Sequence, residues 1–105
     1  MRFDPDKLLA KLPLPATTRW PDGVWDLEPF EKNGVRLVFF APRGRDFQDR
    51  HDEDEFYFII RGTGELVIDG EPHAFSAGDA FFVAAGREHH FQNFTEDLAT
   101  WALFF

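Results

Sequence analysis

Small turn-forming residues interrupt this chain at short, regular intervals between residues 31 and 97. That punctuation limits its fold more than any other feature. Asn33-Gly34 and Asp69-Gly70 are pairs that favour the two-residue turns of β-hairpins. Gly62-Thr63-Gly64, Ser76-Ala77-Gly78-Asp79, Ala84-Ala85-Gly86-Arg87 and Thr95-Glu96-Asp97 mark further turns. The runs between them are rich in Phe, Val and Ile and too short for helices. They cover residues 24–30, 35–41, 55–61, 65–68, 71–75, 80–83, 89–94 and 98–105. Many short strands with turns at this spacing predict an all-β sandwich or small barrel.

Ahead of the strands, Asp4-Pro5 opens a short helix, with Asp4 as the N-cap and Pro5 in the first turn. Leu8, Leu9 and Leu12 give it one apolar face, and Pro13 ends it. Residues 1–18 then form a helix and connector, and residues 19–105 one barrel domain. Several strands are apolar on both sides. Phe56, Phe58 and Ile60 project opposite Tyr57 and Ile59, and Thr100 is the one polar residue in 98–105. A one-layer barrel strand facing water should alternate. Two apolar faces require a covered exterior, shared between the N-terminal helix and a second subunit, so a homodimer is expected.

The 105 residues suffice for one core. With 44% hydrophobic residues and 14 phenylalanines, the chain is not of the disordered class. A net charge of −8 without a basic stripe disfavours nucleic acid and an anionic membrane surface as partners. The absence of cysteine excludes disulfides and thiolate chemistry. No apolar run resembles a signal peptide or a membrane span, so a cytoplasmic location is expected. About 18 residues precede the first strand, too few for a helix-turn-helix unit, and a stand-alone transcription factor is disfavoured.

Chemistry concentrates in two places. In Asp49-x-His51-x3-Glu55, residues two apart in an extended segment share a face, so Asp49, His51 and Glu55 can converge as carboxylate and imidazole ligands of a divalent metal. The same run also reads as a solvated acidic loop. In Gly78-x5-Ala84-x-Gly86-x2-His89-x3-Asn93, a glycine turn launches a strand on which His89, Phe91 and Asn93 share one face. His90 and His73 sit at neither motif and read as surface or hydrogen-bonded histidines. Arg36, Arg61 and Trp101 are pocket candidates without a spacing argument.

Together the two stretches resemble the paired motifs of the cupin superfamily. The first appears as Asp49-x-His51-x3-Glu55-x6-Gly62 and the second as Gly78-x5-Ala84-x-Gly86-x2-His89-x3-Asn93. The resemblance covers about residues 35–105. Asp49 stands where the family carries a histidine and Ala84 where it carries a proline. Gly44 lies closer to Asp49 than the family's leading glycine does. The resemblance implies a double-stranded β-helix, a jelly-roll barrel with a metal inside one mouth. His51, Glu55 and His89 match three of the family's four metal ligands, and Asp49 holds the place of the fourth. Tyr57, Asn93 and Gln48 are candidates for contacts behind the metal or with substrate.

The implied cofactor is one divalent transition metal per chain, from Fe, Mn, Zn and Ni. Two histidines and a carboxylate resemble the facial triad of Fe(II) oxygenases. The expected activity is therefore that of a metal-dependent enzyme on a small organic molecule, with dioxygenase-like chemistry ahead of isomerase or lyase chemistry. The alternative is a small-molecule-binding module without catalysis.

Overall fold

The computed structural model describes residues 1–105. The chain folds into two antiparallel sheets with one short helix. In chain order the elements are α1 (Pro5–Leu9), β1 (Asp26–Lys32), β2 (Val35–Phe40), β3 (Glu55–Arg61), β4 (Gly64–Ile68), β5 (Glu71–Phe75), β6 (Ala80–Val83), β7 (His89–Gln92) and β8 (Ala99–Phe104). One sheet has the order β1-β2-β8-β3-β6 and the other β5-β4-β7. Two antiparallel sheets agree with the all-β sandwich or small barrel that the punctuation predicts and with the jelly roll that the motif resemblance implies. No helix is long and apolar enough to cross a membrane.

The predicted hairpin turns form for the predicted reason. Asn33 and Gly34 take φ of 52° and 82°, and Asp69 and Gly70 take 50° and 81°. Positive φ at both central residues twists the chain in the sense that the flanking strands need. β1 then pairs with β2, and β4 with β5.

Several boundaries differ from the sequence reading by one to three residues, and three of them have a visible cause. The helix ends at Leu9, and the Lys11 and Leu12 N–H groups close tighter turns onto the Leu8 and Leu9 carbonyls, both at 3.0 Å. The first strand starts at Asp26 because Val24 instead forms an isolated bridge with Leu14. β7 stops at Gln92 because Asn93 turns left-handed, with φ of 50°.

The main core lies between the sheets. Tyr57, Ile59, Leu66, Phe75, Val83, Phe91, Leu98, Ala102 and Phe104 are all buried there. The inward parity of β3 is that of Glu55, Tyr57 and Ile59, whereas Phe58 is exposed on the opposite face. A second cluster lies outside the large sheet. Leu8 from α1 packs with Phe39, Ala41 and Ala99, flanked by Leu9, Leu12, Ile60 and Trp101. The helix thus covers part of the outer face, and the apolar side of α1 docks where the double-sided strands need it. Thr100 is fully buried and donates its hydroxyl to the Phe40 carbonyl at 2.9 Å, which satisfies the one polar group in that strand.

Candidate metal site

The site forms where the loop before β3 meets the turn before β7. Gly86 N–H donates to the His51 carbonyl at 2.7 Å, and Ala85 N–H donates to the Asp54 carboxylate at 2.9 Å. Gly86 has φ of 78°, a conformation that a side chain disfavours, so glycine permits the contact that joins the two motifs. Farther along, a Cβ at Gly62 would lie 2.8 Å from Leu98 Cα, so β3 can end against that loop only with glycine there.

His51, Glu55 and His89 meet at this junction, with one ligand atom from each lying within 4.8 Å of the others. Glu55 starts β3 and His89 starts β7; both are buried, and His51 is half-buried on the loop. The His51 ring lies 5.3 Å from that of His89 and meets Phe104 edge-on at 4.9 Å.

His89 Nδ1–H donates to the Arg87 carbonyl at 3.0 Å. A carbonyl can only accept, so Nδ1 carries a proton, and in the neutral ring the Nε2 lone pair faces inward. There Nε2 stands 3.0 Å from Glu55 Oε1. The two atoms are near enough to attract but not aligned as a hydrogen bond, and both are buried without a partner. Buried polar atoms without partners are rare and costly. A divalent cation held by these two atoms and His51 satisfies both, and nitrogen with carboxylate oxygen is a common donor set for transition metals. The residues present fit a metal.

The electrostatics are shaped by burial and by this pair. Desolvation holds the His51 pKa below its usual value, against the raising effect of Glu55, which favours the neutral ligand form. Burial also acts to lower the His89 pKa, but the Glu55 carboxylate and the Arg87 carbonyl outweigh it and the net shift is upward. Burial drives the Tyr57 phenol well above its ordinary value, with Glu55 adding to the effect.

A cavity of about 210 Å³ opens beside the trio. Its walls include Trp20, Val38, Phe40 and Phe104, with His51, Glu55 and Tyr57 toward the ligand cluster. That volume suits a small organic molecule and is below the ~300–1,000 Å³ of pockets for larger ligands.

The remaining sequence candidates divide. Tyr57 and Gln48 line the cavity and are bonded to each other, the Tyr57 hydroxyl donating to Gln48 Oε1 at 2.9 Å. Asp49 also lines it, but at the rim. Its side chain is 67% exposed, and its carboxylate lies 3.8 Å from Arg19 and outside the trio's cluster. Asn93 lies away from the cavity, exposed, and donates to Glu65 at 2.9 Å. Its left-handed backbone takes it off the face that the parity of β7 suggested. Arg36 lines the cavity, whereas Arg61 pairs with Asp6 at 2.8 Å and Trp101 packs edge-on to Phe39 on the outer face. His73 lies against Phe81, and His90 is half-buried beside a separate groove.

Three residues of the site have no signal in the sequence. Asp46 is buried, and its carboxylate accepts from Phe91 N–H at 2.8 Å, from Gln48 N–H at 2.9 Å and from the Gln48 side-chain amide. A carboxylate facing that amide fixes its NH2 toward Asp46 and its oxygen toward Tyr57. Asp26, at the start of β1, and Trp20, on the connector before it, complete the wall. Burial, reinforced by Asp46 and opposed by His51, raises the Asp26 pKa. The order of sheet strands brings them there, and no local spacing announces it.

Comparisons with known proteins agree with this architecture. The chain superposes on KdgF from Halomonas sp. with a TM-score of 0.66 at 21% identity, over 75% of this chain and 74% of that one. It superposes on the EutQ protein of Clostridium difficile with a TM-score of 0.67 at 21% identity, over 88% and 73%. In sequence it is 32% identical over 59 residues to an uncharacterised protein of Streptomyces coelicolor, covering 56% of each chain. It is 38% identical over 53 residues to the dimethylsulfoniopropionate lyase DddW of Ruegeria pomeroyi, covering 50% of this chain and 35% of that protein. The matches thus span only about half and a third of the two relatives' own lengths. A family model described as a cupin domain matches residues 36–105, a span that contains both motifs and all three residues of the trio, and the chain belongs to the cupin family.

Proposed function

We propose that this protein is a metal-dependent enzyme acting on a small organic molecule, with His51, Glu55 and His89 as ligands of one divalent transition metal. The observation that carries this reading is the buried, unpartnered pair Glu55 Oε1 and His89 Nε2 beside His51. A metal bound there supplies Lewis-acid polarisation of a substrate oxygen or, as iron, access to oxygen chemistry.

The protein's own groups supply the rest. The Arg87 carbonyl holds the His89 ring in the ligand tautomer. Asp46 orients Gln48, and Gln48 holds the Tyr57 hydroxyl. Val38, Phe40 and Phe104 keep water from one side of the cavity. Asp49, at the rim, is a ligand only if its side chain leaves Arg19, and otherwise serves to meet substrate.

We favour Lewis-acid elimination or isomerisation, because a relative bears the name of a lyase. The facial composition of two imidazoles and one carboxylate supports dioxygenase-like chemistry as the second form. A binding module without turnover is the alternative from a different class.

Metal analysis by plasma mass spectrometry tests the reading on wild type, His51→Ala and Asp49→Ala. Near one metal per chain is expected in the wild type, lost in His51→Ala and retained in Asp49→Ala. A wild type that takes up no metal after anaerobic reconstitution with Fe(II) and Mn(II) would overturn it in favour of the binding module.

The functional unit we propose is a homodimer. On the outer face of the large sheet, Phe56 stacks near Phe58 and Phe105 with ring centroids 5.9 and 5.8 Å away, and Phe82 lies 5.3 Å from Phe56. Phe58, Phe82 and Phe105 are 41–50% exposed, an aromatic patch of the kind that buries itself against a second copy.

A further inference from the structure

Asp26 sits on the wall of the cavity with a half-buried carboxylate that takes no hydrogen bond or ion pair from the protein. Several of its polar neighbours on the same wall are engaged elsewhere. Arg36 gives its guanidinium to Glu53 at 2.6 and 3.1 Å and to Glu28 at 2.5 Å. Tyr57 spends its hydroxyl proton on Gln48, and Gln48 spends its amide on Asp46. Glu55 faces His89, and Asp49 faces Arg19. Three donor side chains of the cavity, Arg36, Tyr57 and Gln48, are therefore spent on other groups, and no donor of the protein reaches the Asp26 carboxylate. A half-buried carboxylate keeps only part of its hydration, and a bound molecule can supply the donor that the protein does not.

Resting on the proposed metal site, we infer that the substrate is a small molecule that presents a hydrogen-bond donor, a hydroxyl or an ammonium, to Asp26 while an oxygen atom occupies the metal side of the cavity. Burial makes the unpaired Asp26 carboxylate harder to ionise, and the ligand's donor relieves that cost. Trp20, Phe40 and Val38 line the cavity beside it and accommodate the carbon skeleton between the two polar ends. The cavity volume of about 210 Å³ keeps the two ends only a few bonds apart.

Three probes of nearly equal size test this: 3-hydroxypropionate, 3-aminopropionate and butyrate, which differ only in the group at the end away from the carboxylate. Their affinities are measured by calorimetry on Mn(II)-reconstituted and on metal-free protein, as wild type, Asp26→Asn and Asp26→Ala. A charge-assisted hydrogen bond predicts that one donor-bearing acid binds the wild type about tenfold or more tightly than butyrate. That preference should vanish in Asp26→Ala. Asp26→Asn keeps the side chain's size and removes its charge. It should abolish a preference for the ammonium and spare part of one for the hydroxyl, which tells the two donors apart. Equal binding of all three acids, no binding at all, or a preference that survives in Asp26→Ala would overturn the inference.

Metal content is measured on the same samples. A wild type at one metal per chain without donor preference fails this inference alone. A metal-free wild type fails the metal reading, and the donor preference is then decided on the metal-free protein.

Discussion

The Glu55–His89 pair shows how two residues can be chemically incomplete inside a well-packed core. Glu55 Oε1 and His89 Nε2 lie 3.0 Å apart with neither in a hydrogen bond. In metal-free protein the folded state holds the His89 proton more tightly than the unfolded chain does, because the shift from 6.5 is upward. Its contribution to stability is therefore complete below about pH 6.5 and is lost as the pH rises through the folded-state value. Denaturant titrations of metal-free protein between pH 6 and 8 should show this decline, and His89→Gln should flatten it. Adding a divalent metal competes for the same lone pair, so it should raise the melting temperature most at the upper end of that range. His51 acts in the opposite sense, since desolvation first among its causes lowers its pKa, and any stability it contributes is lost as the pH falls. At the same scale lies the limit of sequence reading. His51, Glu55 and His89 are legible because their spacing survives in one chain. Asp26 and Asp46 are ordinary surface-type residues in sequence, and become site residues only once β1 and the loop before β3 are folded against the barrel.

The elements of this fold were legible to within a few residues where turn chemistry dictates them. Asn33-Gly34 and Asp69-Gly70 commit the backbone to positive φ, so β1–β2 and β4–β5 have little freedom of register. The helix was legible at its start, where Asp4 Oδ1 accepts from Asp6 N–H at 2.9 Å, and overestimated at its end. No side chain or glycine stops α1 at Leu9; the backbone tightens ahead of Pro13, and tertiary packing of Leu8 decides how many turns are kept. Asn93 illustrates the opposite failure, because strand parity assumes a strand that has already ended. The turn between β6 and β7 makes a testable case. Gly86→Ala forces a Cβ into a left-handed conformation, although the space around it is open. The expected loss is about 1–2 kcal/mol, read by urea denaturation. Because Gly86 N–H also holds the His51 carbonyl, metal affinity measured by competition with a chelating dye should fall in the same variant.

At the scale of the whole molecule, the two motifs reach one another only through the assembled sheets. β3 lies between β8 and β6 in the large sheet, and β7 pairs with β4 in the small one. The cavity thus depends on the assembled sheets, and none of its lining residues belongs to the aromatic outer face. Light scattering at micromolar concentration should give twice the chain mass, and Phe58→Asp with Phe82→Lys should reduce it to one chain without changing the far-UV circular dichroism. A wild-type monomer would remove the homodimer from the proposal and leave the metal site untouched. The double-sided apolar strands called for a cover in the sequence, and α1 supplies part of it; what meets the rest is not written there, because hydrophobicity carries no address.

β7 is the outermost strand of the three-stranded sheet, and its Phe91 N–H points away from its partner β4. Asp46 has already taken that group at 2.8 Å. Another molecule's strand approaching this edge would find a carboxylate where it needs a free donor, and its own carbonyl would be repelled. The border of the small sheet is closed to extension at that position, as aggregation-resistant β proteins require. The residue that steadies the site's hydrogen-bond chain thus also caps the edge of the small sheet at this position. An Asp46→Ala protein should become more prone to form thioflavin-positive aggregates on prolonged incubation, even where its initial fold is intact.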